Sequence, residues 1–112
     1  MSRRFMPAIS LGLVIFISGC AQTAPSGVQT AQAIVDACEQ ACTAALAAGR
    51  NLDAGPCLLD PVPLNSEWVC DVAHDPRQAV DNDPNNQCSA YRSGVATRFV
   101  EVSTDCRFIR TG

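Results

Sequence analysis

Seven cysteines in a chain of 112 residues make sulfur the densest reactive chemistry in this sequence. Six of them, Cys38, Cys42, Cys57, Cys70, Cys88 and Cys106, are spread over residues 28–112. Thiols serve as metal ligands, as nucleophiles or as halves of cross-links. A structural zinc site pairs ligands two to four residues apart in two clusters. Cys38 and Cys42 form one such pair, no second pair exists, and His74 is the single histidine. Six thiols in a short chain therefore read as three disulfides, formed in an oxidising compartment. Cys38 and Cys42 lie one helical turn apart and share a face. From that face the expected pairing is Cys38–Cys70, Cys42–Cys57 and Cys88–Cys106.

Carboxylates supply the second set of candidates. Asp81, Asp83 and Asn85 have the alternate spacing that opens an EF-hand loop, where every second side chain aims an oxygen inward. The match then stops. Asn86 stands where the turn glycine belongs, and Arg92 stands in place of the bidentate glutamate. Calcium at Asp81, Asp83 and Asn85 competes with an Asx-rich turn whose side chains bond their own backbone, and the turn is the better reading. His74 sits between Asp71 and Asp75, with Arg77 nearby, a set that suits acid–base work or metal ligation. No free thiolate remains if all six cysteines pair, and no serine stands in a nucleophile elbow. His74, Arg77, Tyr91 and Arg92 remain as candidate binding residues, since loop histidines, arginines and tyrosines recur at recognition surfaces. Trp68 is expected in the core.

The seventh cysteine has a different setting. Arg3 and Arg4 precede an apolar run over residues 5–17, and Ser18, Gly19 and Cys20 follow. A positive start, a dozen apolar residues and a small-residue boundary describe a secretory signal peptide, and the run is too short to span a bilayer. Ile17-Ser18-Gly19-Cys20 resembles the lipobox of prokaryotic lipoproteins. That resemblance implies cleavage before Cys20, lipid attachment at its sulfur and a mature chain anchored to the cell membrane or outer membrane. It covers the leader alone. One cysteine for lipid and six for cross-links also resolves the odd total. Residues 2–6 resemble a twin-arginine signal in part, with a different spacing, and leave the export route open.

Charge narrows the partners. All 8 basic residues are arginine; losing Arg3 and Arg4 leaves 6 against 11 acidic residues, a mature net charge of about −5. Nucleic-acid binding needs a phosphate-neutralising surface, which this balance does not provide. The same balance offers no polybasic patch for anionic lipid, so an acyl chain would carry membrane attachment.

These groups need a scaffold. Residues 1–19 read as the leader, 20–27 as a flexible tether of small and polar residues, and 28–112 as one domain. A domain of this size has a marginal core and relies on covalent help. The alanine-rich segment 28–48 lacks proline and glycine. It places Ile34, Cys38, Ala41, Cys42, Ala45 and Leu46 on one helical face, with Gly49 as a left-handed stop. Residues 51–66 hold Gly55, Pro56, Pro61 and Pro63 and read as an extended connection. Residues 67–72 alternate, turning Trp68, Cys70 and Val72 inward and Glu67 and Asp71 toward solvent. Residues 73–86 read as loop, 97–103 and 106–110 as strands joined by a tight turn. The expected fold is α+β: an N-terminal helix packed on a small three-stranded antiparallel sheet, stapled by disulfides.

The expected function is a non-enzymatic, lipid-anchored extracytoplasmic binding module, whose partner is an envelope protein or a small ligand. A metal-dependent or acid–base enzyme built on Asp71, His74, Asp75 and the loop 81–85 is the alternative from another class, and a purely structural envelope protein is the third.

Overall fold

The computed structural model describes residues 12–15 and 30–112. The leader expected over residues 1–19, apart from 12–15, the expected lipid-attachment residue Cys20 and the tether expected over 20–27 lie outside the described residues.

The first element is α1, Ala31–Ala47. Thr30 begins it by accepting a hydrogen bond from the Ala33 amide at 3.3 Å, which satisfies one of the orphan donors of the first turn. Gly49 ends it at φ +77, the left-handed conformation that a side chain disfavours. The Gly49 amide donates to the Leu46 carbonyl and the Arg50 amide to that of Ala45, the paired bonds of a Schellman termination. Ile34, Val35, Cys38 and Cys42 form the buried face. Leu46, expected on that face, is 44% exposed because it belongs to the last turn, beyond the sheet's edge.

The sheet has four strands: β1 (Cys57–Leu59), β2 (Trp68–Val72), β3 (Arg98–Val102) and β4 (Phe108–Thr111), in that spatial order. It is mixed rather than antiparallel. β1 runs antiparallel to β2 and β3 antiparallel to β4, but β2 and β3 are parallel. The physical reason lies in the connection. Parallel neighbours cannot be joined by a hairpin and need a crossover of a dozen or more residues. Residues 73–97, expected as loop, supply it. They fold into two 3-10 turns, Ala79–Asn82 and Pro84–Asn86, and a short helix α2, Ser89–Arg92. β1 escaped the sequence reading because it is a three-residue strand set among prolines. Cys106 sits at φ +65 inside the turn between β3 and β4, so β4 begins two residues later than expected.

The sheet is covered on both faces. Trp68, Cys70, Val72, Val100 and Val102 pack against Ile34, Val35, Cys38 and Cys42 of α1. Val69, Cys88 and Ala96 form a second cluster on the opposite face, with Phe99, Cys57 and Ala90 against it. Arg98 lays its guanidinium 4.2 Å from the centre of the Trp68 ring at the rim of the first cluster.

Three disulfides hold these layers. Cys38–Cys70 joins α1 to β2, as expected. The other two pairs differ from expectation: Cys42 joins Cys106, and Cys57 joins Cys88. Cys57 is in register with Asp71 and packs in the second cluster, on the face turned away from α1, so it cannot meet Cys42. It meets Cys88 at the start of α2 instead. Cys106, thrown out by the turn before β4, lies against the C-terminal end of α1. The three bridges place the domain in an oxidising, extracytoplasmic compartment. Among the described residues, no helix is long and apolar enough to cross a membrane.

Cys42 and Cys106 are 64 residues apart, the longest closure of the three. Replacing both by serine is expected to lower the unfolding free energy by about 4 kcal/mol on the chain-entropy account. Urea unfolding of the double variant checks the magnitude, and peptide mapping of the oxidised protein checks the pairing.

Candidate functional site

The face of the sheet away from α1 carries the polar chemistry. Register aligns Asp71 on β2 with Glu101 on β3, and Glu101 with Arg110 on β4. Cys57 on β1 extends this row to the other edge. Asp71 and Glu101 alternate with Cys70, Val72, Val100 and Val102, which face α1. Had the crossover not covered this side, both carboxylates would meet bulk water.

Instead they line a cavity of about 140 Å³ between the sheet and the crossover. Val69 and Phe99 form its floor with the two carboxyl groups. Gln87, Cys88 and Tyr91 close it from the crossover, and Arg77 and Arg110 flank it. Tyr91 meets Phe99 edge-to-face, with ring centres 5.4 Å apart, which fixes α2 over the sheet. The Cys57–Cys88 bridge ties the same helix to β1. Asp60 completes the attachment: one carboxylate oxygen accepts from the Ser89 amide at 2.9 Å and hydroxyl at 2.7 Å, the other from the Ala90 amide at 2.8 Å. Burial pushes the Asp60 carboxyl up, but the Ser89 and Ala90 hydrogen bonds outweigh it and hold its pKa below the usual value.

Glu101 and the two arginines form a closed set. Arg77 donates from Nη1 to Oε1 at 3.0 Å; Arg110 donates from Nε to Oε2 at 3.0 Å and from Nη2 to Oε1 at 3.3 Å. Arg77 is further held by Asn82 and by the Asp81 carbonyl. Both guanidiniums are thus anchored on the buried Glu101 carboxylate, while their side chains stay part-exposed.

Asp71 is not. Its Oδ1 is sealed from solvent without a hydrogen-bond partner among the described residues. Burial, then the nearby charge of Glu101 and that of Asp81, push its carboxyl up to about 7, against opposing contributions from the Val72 backbone and Arg77. The sequence reading faced Asp71 toward water; the crossover overturns that.

The other candidate residues are divided by the fold. Arg77 and Tyr91 reach the cavity. His74 lies in an adjoining depression that shares Arg77, Glu101 and Arg110 with it. Arg92, exposed at the end of α2, lines neither. The acidic loop does not gather its oxygens. Asp81 is buried, accepting from the His74 and Gln78 amides at Oδ2 and pairing with His74 Nδ1 at 2.9 Å through Oδ1. Asp83 turns back to accept from the Asn85 amide. These are the local bonds of an Asx-rich turn, and they leave the Asp81 and Asp83 carboxylates directed at protein donors rather than at one centre shared with Asn85. Gly55 makes room for Asp81: at φ +68, a Cβ there would stand 2.7 Å from Asp81 Oδ1. Cys57, Asp60 and Cys88 also crowd together, yet their sulfurs are joined and both Asp60 oxygens are taken.

Glu101, Arg110, Gln87, Phe99 and Val69 escaped the sequence reading. One signal was present. In Arg98-Phe99-Val100-Glu101-Val102 the residues that alternate with the valines, Phe99 and Glu101, are an aromatic and a carboxylate. That mixture marks a second, partly covered face. No family, curated protein or solved structure matches the chain.

The Asp71 carboxyl makes a signed prediction. Its pKa is about 7 folded and 3.8 unfolded. Below the unfolded value both states are protonated and nothing is lost. As pH rises toward 7 the unfolded chain releases its proton first, so this group's stabilisation disappears over that window. Asp71→Asn removes the effect. It is expected to leave stability nearly unchanged at pH 4 relative to the parent and to raise it by roughly 2–4 kcal/mol at pH 8. Paired urea titrations at the two pH values read the difference.

Proposed function

We propose that this chain is an extracytoplasmic binding module, held at a membrane by lipid on Cys20, and that its ligand site is the cavity over Asp71 and Glu101. The observation that carries the site is the Asp71 carboxyl. An unpartnered oxygen sealed from water is a standing penalty in a small domain. Such penalties concentrate where function requires them. The residue that bears this penalty lines a walled cavity with an apolar floor and a few convergent polar groups, the usual make-up of a small-molecule site. The tether rests on the leader and on residues 17–20, and the oxidising compartment implied by the three bridges agrees with export.

A second reading has its own support. A carboxyl pushed up to about 7 is poised to give or take a proton near neutral pH, and Glu101 lies beside it in register. As an acid–base enzyme the chain would use Asp71 as the proton carrier rather than His74. His74 Nδ1 is occupied by Asp81. The binding reading is preferred because the cavity holds no group arranged as a nucleophile.

The tether is tested by labelling cells with a radioactive fatty acid. Label on the wild-type chain and its loss in Cys20→Ser, with release from the membrane fraction, is the expected result; an unlabelled wild-type chain rejects the anchor. The site is tested by screening small fragments against the isotope-labelled full chain in detergent micelles. Amide shifts confined to Val69, Asp71, Phe99 and Tyr91 are expected, with no chemical change in the bound fragments. Fragments that bind only elsewhere reject the site, and conversion of a fragment that stops in Asp71→Asn favours the enzyme.

A further inference from the structure

We infer that the cavity over Asp71 takes a small organic cation, a protonated amine carried on a compact apolar body, with the Asp71 carboxylate as its counter-ion. The inference rests on the proposed site and adds the class of ligand.

Four charged side chains line the cavity: Asp71, Glu101, Arg77 and Arg110. Three of them bond one another and keep one positive charge in excess. Glu101 receives both guanidiniums, and Arg77 is also bound to Asn82 and the Asp81 carbonyl. An anion at the arginines would compete with the Glu101 bridges, which are bonds between a buried carboxylate and two cations. The carboxyl without a bonded partner at Oδ1 is that of Asp71, and its complement is a donor that carries positive charge. Val69, Phe99 and Tyr91 supply apolar surface beside it. A volume of about 140 Å³ suits a molecule built on a single ring. The net charge of about −5 for the mature chain also draws cations toward the surface.

The groups facing Asp71 come from every neighbouring element: Glu101 from β3, Arg110 from β4, Arg77 and Asp81 from the first part of the crossover, and Tyr91 from α2. Of these, Asp71 is the one pushed toward neutral pH. A cation binds its ionised form, so affinity rises with pH as the Asp71 proton is lost.

Benzylamine, benzyl alcohol and benzoate present the same ring with a cation, a neutral donor and an anion. Each is titrated into the isotope-labelled full chain in detergent micelles, following the amides of Val69, Asp71, Phe99 and Tyr91. Benzylamine is expected to bind at these residues at least tenfold tighter than the other two. Its affinity should rise roughly 25-fold between pH 5.5 and 8.5 as Asp71 ionises. In Asp71→Asn, whose amide spectrum reports an intact fold, the preference and the pH dependence should both vanish. Benzoate or benzyl alcohol binding there as tightly as the amine overturns the cation class and leaves the site standing. A benzylamine affinity equal in Asp71→Asn also overturns it. Silence of these amides toward all three compounds overturns both the ligand class and the site.

Discussion

Parallel pairing of β2 with β3 is the constraint from which the site follows. Two strands running the same way cannot be joined by a short turn, so residues 73–97 must climb over the sheet and return. That path covers the face which strand alternation would otherwise give to solvent. Asp71 and Glu101 therefore lie beneath protein, and every electrostatic feature of the cavity derives from this cover: the closed Glu101–Arg77–Arg110 set, the raised Asp71 carboxyl and the apolar floor of Val69 and Phe99. In the antiparallel sheet expected from the sequence, the same residues would form an ordinary wet surface.

A crossover containing only short helical turns has little core of its own, so it must be fastened. Three attachments do this at separate points. Cys57–Cys88 and Asp60 hold the start of α2 to β1 and the segment after it. Tyr91 packs its ring on Phe99. Asp81 pins the first 3-10 turn to His74 just beyond β2, where burial raises its pKa but the Gln78 and His74 hydrogen bonds outweigh that and hold it low. Lowered carboxyls at Asp60 and Asp81 mark groups that stabilise the cover, while the raised carboxyl at Asp71 marks one that opposes folding. The contrast separates scaffold from site among residues of a single type.

Local structure was legible where one interaction decides it. The absence of proline and the stop at Gly49 marked α1 and its end correctly, because left-handed termination acts within a few residues, whereas the Thr30 cap that sets its start three residues after 28 was not among the expectations. Trp68, Cys70 and Val72 turned inward as alternation requires. What escaped depends on pairing between distant segments. β1 has too few residues for periodicity to reveal it, and strand direction is invisible to a pattern read along one strand. The bridge Cys57–Cys88 follows from the register of β1 on β2, which turns Cys57 to the face away from α1 and leaves Cys42 to Cys106. At the site, Arg77 and Tyr91 were recognised by residue type, whereas Glu101 and Arg110 acquire meaning only when β3 and β4 align them.

The closed arginine–glutamate set has a consequence for how the cavity is charged. Glu101 with Arg77 and Arg110 sums to one positive charge, held together by bonds to a buried carboxylate. The cavity's charge is then positive when Asp71 holds its proton and neutral when it does not. A single proton on one side chain thus decides which ions the lining repels. Because Arg77 also opposes the rise of the Asp71 carboxyl, weakening it would push that carboxyl further up and away from neutral pH. Glu101 acts the other way and raises it, so the two partners of one ion pair set the Asp71 carboxyl in opposite directions.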